Sequence, residues 1–192
     1  MPSRILDLHP SKTHSRVRVW LNELPEDCAY EVDLVLSHTL RAIGPPHRAC
    51  CAAIEVAFPQ LGHPSTYGLL GGSFTPHTSG ILTLEVATSK GAGRHIDWAF
   101  PEQADFVQAG LHKSSAEYLL KRLALVEPGR ILGPGILRFD HSAEGISSSP
   151  VFSAALALVL LELVAMGGDM ELVSDNDFWE MLQRAFAQAR PS

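Results

Sequence analysis

Any chemistry in this chain has to come from its histidines, a few carboxylates and a run of serines. Nine histidines occur in 192 residues, and His47, His63, His77, His95 and His141 fall in segments that read as loops. Imidazole titrates near neutrality and ligates metals, so such a set suits acid/base or metal chemistry. Metal-ligand spacing is missing, however. There is no H-E-x-x-H, no C-x-x-C and no H-x-x-x-H on a helix, and neither a metal nor a cofactor is expected.

Asp140, His141 and Glu144 are the catalytic candidates. A carboxylate beside an imidazole orients it, and a second carboxylate is able to transfer a proton. Adjacent residues on a strand point to opposite faces, so Asp140 and His141 meet only if the chain bends there; the alternative is a solvated turn. Ser147, Ser148 and Ser149 stand before Pro150 at an expected helix start. They either hold a small anionic ligand through hydroxyls and backbone N–H groups or simply cap the helix. His63, His77, Ser142, Ser148 and Ser149 are the candidates for ligand or partner contact. Serine nucleophile chemistry has no G-x-S-x-G to rest on. Cys28, Cys50 and Cys51 are an odd number with an adjacent pair that closes on itself only with difficulty, so no disulfide framework is expected. Small apolar packing is the expected use of Cys50 and Cys51, with metal or redox use as the lesser alternative.

Positioning these residues falls to a chain of ordinary globular composition, 46% hydrophobic and 19% charged. Lys and Arg number 15 against 21 Asp and Glu, a net charge of −6. That balance argues against a protein whose main work is gripping phosphate backbone, because such affinity comes from clustered Lys and Arg. The start, MPSRILDLHPSK, lacks the basic stretch and apolar run of a secretory signal, so a cytoplasmic location is expected. Val151 to Met166 is almost wholly apolar, yet it is short for a bilayer core of about 30 Å and contains Glu162. A buried helix is expected there, and no membrane association.

Along the chain, RVRVWL at 16–21 and CAAIEVAF at 51–58 read as strands. Glu31 to Ile43 places Val32, Val35, Leu36, Leu40 and Ile43 at helical spacing before Gly44-Pro45-Pro46. Gln60 to Gly80, dense in Gly, Pro, Ser and Thr, reads as a long loop. ILTLEVAT at 81–88 reads as a strand forming a hairpin with Arg94–Ala99 across Lys90-Gly91-Ala92-Gly93. A helix follows between about 104 and 126, then a strand at 136–140, a polar loop and the apolar helix from Pro150. The last segment, 177–189, sets Phe178, Trp179 and Phe186 on one face, to pack on the chain's own sheet or on a second copy as a homo-oligomer. A single domain over 1–192 is expected. It has a strand-helix-strand extension over 1–60, a central region over 61–166 and an amphipathic C-terminal helix over 167–192.

Taken in order, the strand, hairpin, helix, strand, polar loop and helix from about Gly80 to Ala165 resemble domain IV of elongation factor G and its ribosomal-protection relatives. The nearest local match is the last loop. That family reads L-Y-D-G-S-Y-H-E-V-D-S-S-E before its helix, and Phe139, Asp140, Ser142, Ile146, Ser148 and Ser149 fall in corresponding positions without a gap. Tyr67-Gly68 in the upstream Gly-rich segment is similar to the family's glycine-rich tip loop. The resemblance implies an α+β fold, with a mixed sheet backed by helices on one face and a left-handed crossover. It also implies a role at the ribosome, where the tip loops of that domain reach the decoding region. Three departures stand against the functional part. No G-x-x-x-x-G-K-[ST] occurs, so no nucleotide hydrolysis is implied; Glu144 stands where the family has its tip histidine; and the Gly-rich segment has no Lys or Arg. Three readings therefore remain: a stand-alone binding protein for a ribosomal, RNA or protein partner; a small enzyme or ligand-binding protein using loop His and Glu residues; and a structural subunit.

Overall fold

In the computed structural model, residues 4–6, 15–26, 28, 30–60, 63–91, 93–97, 99–100, 106–167 and 174–191 are described. They form one mixed sheet with helices packed against it, an α+β architecture. The strands are β1 (Arg4–Leu6), β2 (Arg16–Leu21), β3 (Val32–Arg41), β4 (Cys50–Gln60), β5 (His63–Pro76), β6 (Ile81–Ser89), β7 (Val107–Ala109) and β8 (Gly135–Gly145). The helices are α1 (Lys113–Ala124), α2 (Pro128–Ile131), α3 (Pro150–Ala165) and α4 (Asp175–Ala189). Spatially the order is β1-β2-β4-β5-β8-β6-β3, and β7 pairs with β8. Every pairing is antiparallel except β6 with β8, and α1 is the helix that crosses between these two parallel strands.

The alternation of β2, β4, β6 and β8 sends Val17, Val19, Ile54, Val56, Leu82, Leu84, Val86, Leu137 and Phe139 to one face, where they share a core with α1, α3 and α4. Twelve of the sixteen residues of α3 are buried, which explains why its sequence is apolar on every side. Its N-terminus is set by Ser149, whose side chain accepts from the Phe152 N–H, and by Pro150 in the first turn. On α4, Ser174 and Asp177 form a reciprocal capping box. No helix among the described residues is long and apolar enough to cross a membrane.

The opposite face carries a second, smaller core around Trp20, Ala53, Tyr67, Leu69 and Ala143, covered by Ile96 and Phe100. Within it Glu55 is fully buried. Its Oε1 accepts from the Tyr67 hydroxyl (3.0 Å) and the Phe100 N–H (2.9 Å). Its Oε2 lies 3.2 Å from Arg18 Nη1 without a directed hydrogen bond.

Four expectations are corrected. The helix expected over 31–43 is β3, so the first 60 residues contribute strands alone to the described structure. Only Leu36 and Leu40 of its apolar set pack on the helical core; a separation of four satisfies both the helical period and twice the strand period. The loop expected over 60–80 contains the 14-residue β5, which sits between β4 and β8. Its glycines serve close approach rather than turning. A Cβ at Gly68 would stand 2.8 Å from the Phe152 ring of α3, and one at Gly72 would stand 2.4 Å from the Arg138 carbonyl oxygen. The described residues of 94–99 form no hairpin with β6, whose two flanks are taken by β3 and β8; among them the one isolated bridge is His95 to Gln108. The helix expected from about 104 starts at Lys113, after β7, and positions 101–105 lie outside the described residues.

Candidate functional site

Strand β8 outruns its parallel neighbour. β6 pairs with it only as far as Val86 opposite Phe139, and farther along β7 takes up the ladder from Ala143 to Gly145. Both α1 and α3 begin at this end. Between them opens a cleft of about 290 Å³, lined by Ser89, Gln108, Gly110, His112, Ser114, Ser115, Glu144 and Ser148, with Phe106 and Ile146 at 51% and 71% exposure also on its wall. The Glu144 carboxylate bridges the two helix starts: Oε2 accepts from the His112 N–H at 3.0 Å and Oε1 accepts from the Ser153 hydroxyl at 2.9 Å. His112, the N-cap of α1, supplies no side-chain cap, so this carboxylate supplies the negative charge that a helix N-terminus favours.

Asp140 and His141 do meet. Gly71 pairs with His141 and Gly72 with Phe139, so Asp140 is an extra residue in β8. Such a bulge interrupts the alternation and re-aims neighbouring side chains. His141 Nδ1 lies 2.7 Å from Asp140 Oδ1. Arg138 Nε donates to Asp140 Oδ2 at 3.2 Å and Arg138 Nη1 to Glu85 Oε2 at 3.3 Å. The hydrogen bond with His141, more than the Arg138 charge, holds the Asp140 carboxyl below the usual carboxylate range against its partial burial. Glu85 and Arg138 alternate with Leu84, Val86, Leu137 and Phe139 of the helical core, which places this row on the face away from the helices. Glu144 instead bonds to α3. The three catalytic candidates therefore do not share a site.

The remaining candidates are dispersed. His63 is exposed where β5 begins, and His77 follows its far end, about 45 Å away at the usual strand rise, with Nδ1 2.9 Å from Ser79 Oγ. Ser142 donates to the Tyr30 hydroxyl at 3.3 Å, and that hydroxyl donates to the Ala87 carbonyl at 3.2 Å, closing the gap where β6 and β8 diverge. Ser148 accepts from the Gly145 N–H and donates to the Tyr67 carbonyl. With Ser149 capping α3, the hydroxyls of both serines are engaged by the fold. On α4, Phe178 is fully buried and Phe186 packs against Phe58 and Phe152, with Trp179 half-buried on the same core, so that apolar face lies against its own chain. Cys28, Cys50 and Cys51 form no disulfide among the described residues. Among the described residues no group of three or more His, Cys, Asp and Glu side chains is placed to hold a metal ion.

Sequence reasoning missed Gln108, His112, Ser114 and Ser115 as cleft residues. The available signal was His-Lys-Ser-Ser at 112–115, after Gly110-Leu111, a helix start without an Asp or Asn cap. Comparison of the chain with protein-family models, with curated proteins and with solved structures finds no significant match.

Proposed function

We propose that this is a binding protein whose contact end is the cleft at Glu144, and that the cleft receives a hydrogen-bond-donating group of its ligand or partner. The observation that carries this is a carboxylate held between two helix starts on the wall of a cleft. An ionised carboxylate only accepts hydrogen bonds, and its two oxygens offer about four lone-pair sites. The fold uses one bond on each oxygen, so acceptor capacity remains for an amine, guanidinium, amide or base-edge donor. Phosphate is repelled at the same place. Proton-transfer chemistry by Asp140, His141 and Glu144 together has less support, since the first two lie on the other side of the sheet.

A second reading, a ribosomal or RNA-bearing partner in the cytoplasm, rests on what is left of the resemblance to elongation factor G domain IV once its hairpin is missing and its glycine-rich tip loop is replaced by strand β5. Strands β6 and β8 are parallel neighbours in one sheet, α1 crosses between them, and α3 follows the polar segment, so residues 141–149 lie at the cleft end. Glu144 in place of the family's tip histidine then selects base edges or protein donors over backbone phosphate. Chemical-shift titration with agmatine and with adenosine tests the cleft. Amides of Gln108, Gly110 and Ser114 are expected to move, and Glu144→Gln is expected to weaken the response about tenfold, the size of one hydrogen bond to a charged group. Shifts spread elsewhere, or a response indifferent to Glu144→Gln, overturn the reading. Sedimentation with ribosomes at low salt separates the second reading from the first.

A further inference from the structure

One edge of the sheet is short: β1 spans three residues. The other edge, β3, spans ten residues, about 33 Å at the usual rise, and among the described residues is paired on one side only, by β6. Its residues are mostly exposed, including Val32 at 46%, Leu34 at 42% and Val35 at 37%. Long free edges invite another strand, and proteins that avoid this place Pro or Lys there; Val32–Arg41 contains neither. The ladder with β6 shifts register once, between Val32 and Leu34, and runs unbroken from Leu34 to Arg41.

We propose that β3 pairs antiparallel with β3 of a second copy of this chain about a two-fold axis at Ser37, joining two sheets into one. The sequence D-L-V-L-S-H-T-L-R from Asp33 to Arg41 is self-complementary in that register. At each end Asp33, the extra residue at the register shift beside Leu34, comes near Arg41 of the partner, so opposite charges flank the regular ladder from Leu34 to Leu40. Leu34 stands opposite Leu40, Val35 opposite Thr39 and Leu36 opposite His38. Among the described residues neither Asp33 nor Arg41 makes an ion pair within its own chain. Centring the axis on a residue keeps both helical layers on the same side of the joined sheet, because residues directly opposite share a face. A shift of the axis to Leu36 would place Arg41 against Glu31, already 3.5 Å from Lys90, and a shift to His38 would place it against Val35. The charges therefore select Ser37.

Sedimentation equilibrium of the full chain tests the pairing. A concentration-dependent dimer is expected, with Asp33→Arg and Arg41→Asp each weakening it about tenfold or more, since each creates two like-charge cross-strand contacts. The double swap, Asp33→Arg with Arg41→Asp, is expected to restore it, which separates lost pairing from lost folding. Directly opposite residues in an antiparallel pair lie about 4.5–5.5 Å apart at Cα, within disulfide reach, so Ser37→Cys is expected to give a cross-linked dimer on mild oxidation and the parent chain is not. A monomer at every concentration overturns the proposal. So does a dimer that ignores both single charge variants, or one whose double swap stays weakened.

Discussion

On the helical side of the sheet, α3 meets the strands and its neighbours with Phe152, Leu156, Leu160, Leu163 and other apolar side chains; Phe58 and Phe152 meet edge to face and Phe186 lies tilted against both, at centroid separations of 5.1 to 5.7 Å. On the other side a carboxylate sits at the same depth. Burial pushes Glu55 above the usual carboxylate range, and the Arg18 guanidinium pulls it back. The Tyr67 phenol is pushed well above its ordinary range, first by burial and then by Glu55. Arg18 also stacks 4.4 Å from the centroid of Phe100, whose N–H the carboxylate holds. The helical side is thus specified by volume, which many apolar combinations satisfy. The other is specified by direction, because a covering segment without regular structure has few other ways to be fixed in place.

Breaking the comparison starts with one substitution on each face. Phe152→Ala is expected to cost about 3–5 kcal/mol through the cavity it leaves, and Arg18→Met a similar amount by leaving Glu55 buried without its cation. Urea denaturation measures both. Their second-site behaviour separates them: Glu55→Leu added to Arg18→Met is expected to return only part of the loss, since it removes the buried charge but leaves the Tyr67 hydroxyl and the Phe100 N–H without their acceptor. If Arg18→Met alone were neutral, the directional account of that face would fail. Ser149→Ala is smaller, about 1 kcal/mol, because one cap is lost while Pro150 still sets the first turn.

The smallest effect is in pH. Glu55 has a raised folded value, so the folded protein holds the proton more tightly than the unfolded chain. Stability from this group rises as pH falls through the folded value and levels off below the ordinary glutamate range. Asp140 has a lowered folded value, so its contribution is present at neutral pH and is lost as pH falls below the ordinary aspartate range. Denaturation midpoints of Glu55→Gln across the acid range are expected to lack the first rise and keep the second fall.

Local pattern carried much of this fold. β2, β4, β6, α3 and α4 follow their periods, and the Ser149-Pro150 start of α3 is where cap chemistry puts it. The elements that were not legible are those whose sequence is shaped by neighbours distant in the chain. β5 is glycine-rich because α3 and β8 press on it, and β3 has a leucine spacing common to both periods. In the site, the pairing of Asp140 with His141 depends on a bulge opposite Gly71-Gly72, which no local rule places. Glu144 is expected in a polar loop after a strand ending at Asp140, whereas β8 continues to Gly145 and carries it, and its partners His112 and Ser153 come from the starts of two different helices. Glu55 was passed over as one acid within an apolar strand; the signal lay in the arginines of β2, which pair residue for residue with β4.

The bridge made by Glu144 has a cost for whatever enters the cleft. Its two oxygens already tether the start of α1 to the first turns of α3, so an occupant that draws the carboxylate toward itself competes with the scaffold for the same atoms. Occupancy and helix anchoring then become rival uses of one side chain. A newcomer that outbids the His112 amide would leave that amide exchanging faster with solvent, a signature legible without knowing what had bound.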